Sequence, residues 1–354
     1  MPPRVSGDHL LVGFCNGVIR SFNRNTGKLE WEYDVKKETG ENSFHAAMVV
    51  SGDMVIAATE LTTGSVYGFA CDSCRVIWRR PCGPGVFTDL ACSGERVFVH
   101  TLQDSVLCLD RATGHTLWAF AAPGAGHSTS KEPLSPATRS RQHSPALAGD
   151  MLLYVDDRGT LRALRAADGG LAWERRFKEP VMTSVSLSRG IAYVGTRDKV
   201  FHGVVPATGQ VRSHLTVPGV NWPPLFCSDR GMVGWAVVDT ARDATWQFVA
   251  YDRDMSRLLW MKPPPDSGAV WGTFRPPIVG RLAIAGTNHG HMLAYDLESG
   301  ALAWEVQIED RSPRSIVEDP GKPGRIYVGT GLGTVYAFDG ARGSGSARRG
   351  RSTR

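Results

Sequence analysis

Several things are missing from this chain, and each absence excludes something. No apolar run approaches the roughly 18 residues that a membrane-spanning helix needs, so no α-helical span is expected. The opening residues, Met1-Pro2-Pro3-Arg4-Val5-Ser6-Gly7-Asp8, lack a basic segment followed by an apolar one. No secretory leader is read there, and the expected compartment is the cytoplasm, or an extracytoplasmic space if the native leader is missing. No G-x-S-x-G elbow and no phosphate-binding P-loop occur. The 7 cysteines are an odd number with no two adjacent, which leaves no complete disulfide framework and favours reduced thiols.

Excess charge is missing too. The formal net charge is +5, but residues 341–354 carry five arginines and no acid; without them 35 basic residues face 35 acidic ones. A neutral body offers no nucleic-acid surface. The Gly/Ser-rich segment 341–354 reads as a disordered basic tail.

Abundant instead are 40 glycines and 10 tryptophans. Six tryptophans close similar windows: SFNRNTGKLEW (21–31), GFACDSCRVIW (68–78), CLDRATGHTLW (108–118), ALRAADGGLAW (163–173), AYDRDMSRLLW (250–260) and AYDLESGALAW (294–304). A seventh window, GVVPATGQVRS (203–213), keeps the turn but ends in Ser213, and an eighth starts at Ala337-Phe338-Asp339-Gly340 and dissolves into the tail. The units recur about every 45 residues, the period of a propeller blade. In each window a strand ends at Asp or a substitute whose side chain bonds turn backbone. A Gly then supplies positive φ, and the next strand carries the Trp outward to pack between blades. Two β-rich runs split by Gly turns precede each window, as in Arg325–Thr330 before Gly331-Leu332-Gly333. The expected architecture is all-β: an eight-bladed propeller of four-stranded antiparallel blades over residues 1–340, with the last blade lacking a clear outer strand.

The segments YVGTGLGTVYAFDG (327–340) and IAGTNHGHMLAYDLESGALAW (284–304) resemble the repeat pattern of the PQQ-repeat family of eight-bladed propellers, across residues 2–340. The WD40 Gly-His and Trp-Asp signature and the kelch double glycine are absent. The resemblance implies one of three kinds of function: a quinoprotein alcohol dehydrogenase with pyrroloquinoline quinone and calcium, the non-catalytic propeller lipoprotein of bacterial outer-membrane assembly, or a sensing or scaffold propeller. The dehydrogenases carry an adjacent Cys-Cys pair, which this chain lacks, and long insertions with a calcium set and a catalytic Asp, for which it has little room. A triacid quinone would want several basic residues, and Arg275 and Arg314 are few. No cofactor is therefore expected; quinone and calcium belong to the alternative, enzymatic reading.

In a propeller the starts of the inner strands crowd the mouth of the channel. Counting back from each Gly turn collects His45, Thr88, Asp89, Gln142, His143, Thr183, Ser184 and Arg275, with Arg314 and Asn221 nearby. This polar ring either satisfies itself or binds a ligand. Three loops stand out on that face: 121–142, rich in Pro, Ser and Gly; 216–224 with Trp222; and 262–277 with Trp271, Phe274 and Arg275. An exposed Trp beside Arg suits partner recognition. The leading expectation is a non-catalytic scaffold that binds a protein or small ligand through Trp222, Trp271, Arg275, Arg314, Gln142 and Asn221. The alternative is a dehydrogenase-like enzyme, or a hydrolase, lyase or cyclase with His45, Asp89 and His143 as acid and base. Cys71-Asp72-Ser73-Cys74 lacks the second CxxC of a zinc site, and His289-Gly290-His291 fills an ordinary turn, so no metal is assigned.

Overall fold

The computed structural model describes residues 2–14, 16–41, 43–44, 46–60, 64–83, 85–123, 143–219, 225–239, 244–265, 276–308, 313–331 and 333–348. Its strands form eight four-stranded antiparallel sheets, the blades of an eight-bladed β-propeller, each built from consecutive strands from inner to outer. One short helix, Val35–Thr39, follows the first blade, with Asp34 accepting from Lys36 N and Lys37 N at its start and left-handed Gly40 ending it.

The blades fall into two compact units. The first spans Pro3–Val185 with Pro206–Gly209 and holds the blades at 4–34, 49–81, 91–121 and 146–175. The second spans Ser186–Val205 and Gln210–Arg354 and holds those at 186–216, 226–262, 278–307 and 313–348. Within each unit the core lies between neighbouring blades. Leu11, Ile19 and Trp31 of blade one pack on Val55, Ala57, Tyr67 and Phe69 of blade two. Phe98, Val106 and Cys108 of blade three pack on Leu152, Tyr154 and Leu164 of blade four. In the second unit Val233, Trp235 and Phe248 of blade six meet Ala283 and Ala285 of blade seven. A single sheet could not bury both faces; stacking supplies the second cover.

The repeated tryptophans set that stacking. Each indole Nε1 donates to a carbonyl at the outer turn of the following blade: Trp31 to Cys71 (3.2 Å), Trp78 to Arg111 (2.9 Å), Trp118 to Ala166 (3.1 Å), Trp173 to Pro206 (2.8 Å), Trp260 to Leu297 (2.8 Å) and Trp304 to Gly340 (3.0 Å). The turn glycine presses on the same ring: a Cβ on Gly169 would lie 2.5 Å from Trp118, and one on Gly114 2.5 Å from Trp78. At the degenerate repeat Ser213 replaces the indole. There Tyr193 Oη donates to Asp254 O at 3.1 Å, and Met255, at φ 51°, packs with Tyr193 among the partly buried Ile191 and Leu215.

The eighth blade differs from expectation. Ser344–Arg348 forms its fourth strand, paired from Val335↔Arg348 to Asp339↔Ser344, so 344–348 is not disordered tail and the last blade is complete. The cause is the same lock: Gly343, at φ 64°, sits against Trp304, and Asp339 Oδ1 accepts from Ala341 N. Backbone pairing along the exposed edge then needs no apolar sequence signal. Residues 349–354 lie outside the described residues.

Candidate functional site

The starts of the inner strands in the first unit form a hydrogen-bonded ladder. Asp89 Oδ1 accepts from Ala47 N at 2.8 Å, Ser144 Oγ accepts from Asp89 N at 3.0 Å, and Ser184 Oγ accepts from Ser144 N at 2.9 Å. Each side chain thus satisfies backbone of the preceding segment. Thr88 Oγ1 donates to His100 O at 3.0 Å, and Thr183 is buried. Among the described positions, these side chains are engaged with backbone groups.

The proposed acid–base set fares poorly on this ladder. His143 is buried, its carbonyl 2.9 Å from His100 Nδ1. Burial, then the nearby His100 charge, holds its imidazole pKa down to about 3, so it is neutral at physiological pH and cannot serve as an acid there. Asp89 is committed to the Ala47 amide. His45 lies outside the described residues, as do Gln142, Asn221, Trp222, Trp271, Phe274 and Arg275. Arg314 falls on the first strand of blade eight, at a shift of register between Pro313 and Ser315.

The motifs given no metal do not converge. Cys71 is buried, with burial pushing its thiol pKa up, while Cys74 is exposed; both are free thiols. His291 Nδ1 turns to Glu305 Oε1 at 2.7 Å, and His289 O accepts from Gln307 Nε2 at 2.7 Å.

The sequence reading missed one element. In blade six the inner hairpin strands Gly231–Asp239 and Ala244–Asp252 are 9 residues each and pair along their whole length, against 5 or 6 in blades one to five, seven and eight. Their outer halves, with Val237↔Trp246 and Val238↔Thr245 opposite one another, form a two-stranded extension. Gly219 backs onto it: a Cβ there would lie 2.2 Å from Val237 O. The sequence alternates there, Trp235, Val237 and then Trp246, Phe248 around a polar tip, as any hairpin does, and nothing in it marks the extra length.

The family model described as "Outer membrane protein assembly factor BamB" matches residues 62–221 and 136–345, more than half of the chain. The chain belongs to this PQQ-repeat propeller family. The BamB outer membrane protein assembly factor of Yersinia pestis is 20% identical over 349 residues, covering 95% of this chain and 83% of the relative. The crystal structure of BamB from Moraxella catarrhalis matches with a TM-score of 0.72 at 15% identity, over 95% of each chain. A europium-containing methanol dehydrogenase matches with a TM-score of 0.68 at 13% identity, over 95% of this chain and 82% of that one. Those two likenesses show the propeller fold. The family match is to an assembly factor and gives no support to a quinone cofactor. It also overturns the cytoplasmic expectation: the relatives are factors of outer membrane protein assembly.

Proposed function

We propose that this propeller is a non-catalytic scaffold that holds a protein partner during outer membrane protein assembly. The observation that carries this reading is the family match, which runs through blades of both units. The bond of Asp89 to the Ala47 amide and the buried, neutral imidazole of His143 favour it over an acid–base enzyme. Rigid sheets placing variable loops are suited to binding. The proposed partner contacts are Trp222, Trp271, Arg275, Gln142 and Asn221, which lie outside the described residues, together with Arg314 on the first strand of blade eight; the blade-six extension is a further candidate surface. Depletion of the protein in its host is expected to lower the amount of folded outer membrane protein, measured by quantitative proteomics of isolated outer membranes. Unchanged levels would contradict the assembly role.

A further inference from the structure

Blades three and four carry, on their facing inner hairpins, side chains that the other described turns do not. In the hairpin turns the left-handed position is filled by Gly17, Gly159, Gly290 and Gly333, and by Lys199; in blade three it is Asp104, at φ 59°. The residue that opens the turn is Phe14 in blade one and Thr59, Thr101, Thr196, Thr287 or Thr330 in five others; in blade four it is Asp156. Asp104 and Asp156 are buried, Asp157 is exposed, and one carboxylate oxygen from each lies within 4.8 Å of the other two.

Local partners engage two of the three: His100 Nε2 meets Asp104 Oδ1 at 2.8 Å, while Asp156 Oδ1 accepts from Arg158 N (3.1 Å) and Thr160 N (2.7 Å) and its Oδ2 pairs with Arg162, which shares its guanidinium with Glu174. A second observation points the same way. Tyr154 is fully buried, and its hydroxyl makes no hydrogen bond of normal geometry among the described residues, although Arg162 acts on it as a weak side-chain donor. That hydroxyl stands among the same charges. Its ring meets His100 edge-on at 5.2 Å, Tyr154 lies opposite Arg162 in the strand register, and the charges acting on it are those of Arg162, Asp104 and Asp156. A buried hydroxyl left unpaired beside crowded carboxylates is costly unless something joins them.

We infer that Asp104, Asp156 and Asp157 hold a hard divalent cation of the calcium class between blades three and four, with the Tyr154 hydroxyl completing the site directly or through an ion-bound water. Three clustered carboxylates supply the all-oxygen, anionic donor set that such ions take, with water filling the remaining positions. The ion is structural: it staples two neighbouring hairpins of the first unit, and no quinone takes part.

The test uses the full chain, stripped with chelator and melted with and without millimolar calcium chloride. Binding only to the folded state is expected to raise the wild-type midpoint by several degrees. Asp104→Gly restores the residue the other turns use, so it should fold, and it is expected to abolish the shift. Asp157→Asn, at an exposed position, is expected to weaken calcium affinity about tenfold or more by calorimetry. No calcium shift in the wild-type protein, a shift that survives Asp104→Gly, or an equal shift from magnesium or from sodium chloride at matched ionic strength would each overturn the site.

Discussion

An indole buried between two sheets carries an N–H that must find an acceptor, and here the following blade's turn carbonyl supplies one for six tryptophans. The glycine in that turn serves two ends, a positive φ and the closeness of the ring, and the two can be separated. Gly169 has φ 73° and the Trp118 ring 2.5 Å from where a Cβ would stand; Gly149 has φ 60° and nothing within 4 Å. Gly149→Ala is expected to cost about 1–2 kcal/mol, the left-handed penalty alone. Gly169→Ala should cost about 2–5 kcal/mol, because overpacking against Trp118 adds to it. Urea denaturation checks both, and equal losses would show that the ring does not set the turn. This lock was legible as a Gly-to-Trp spacing. Its replacement at Ser213 was not, because Tyr193 and Met255 come from different strands that only the fold brings together.

At the scale of the element, each blade was legible from period-two alternation and Gly turns, while additions to the basic plan were not. The strand Ser344–Arg348 has the composition of a tail, and only the edge of Val335–Asp339 makes it a strand. The longer hairpin of blade six follows an ordinary alternating pattern, so its extra length has no distinct signature. Asp89 and Ser184 were legible as polar positions before the inner strands, but Ser144, and the ladder in which all three bond backbone, were not. The segment after the helix shows how an element is pinned. Glu41 is buried and accepts from Thr59 Oγ1 (2.6 Å), Ser65 Oγ (2.7 Å), Tyr67 Oη (2.9 Å) and Arg79 Nη2 (2.5 Å). Burial alone would raise its carboxyl pKa, but these bonds outweigh it and the net shift is downward. A depressed folded pKa adds stability above the ordinary carboxylate range, and that stability is lost as pH falls through the folded value. Glu41→Gln is therefore expected to lose about 1–3 kcal/mol at pH 7 and to flatten the stability profile below about pH 4.5. Chemical denaturation across pH checks it; a variant profile parallel to the wild type would contradict the assignment.

For the whole molecule, repeat counting was enough to read eight blades and the family, because the signal is reinforced with every unit. Place of work was not legible, since compartment depends on address signals rather than on the physics of the folded body. Nor does fold choose function, as the same architecture carries an assembly factor and a methanol dehydrogenase. The scaffold reading therefore stands or falls on the partner face. The most direct test is co-purification of outer membrane protein assembly components with the tagged full chain from host membranes. The wild-type protein is compared with a Trp222→Ala, Trp271→Ala, Arg275→Ala variant and with Val238→Asp in the blade-six extension. Loss of co-purification at an unchanged melting temperature is the expected result for both; full retention by both folded variants would contradict the scaffold face.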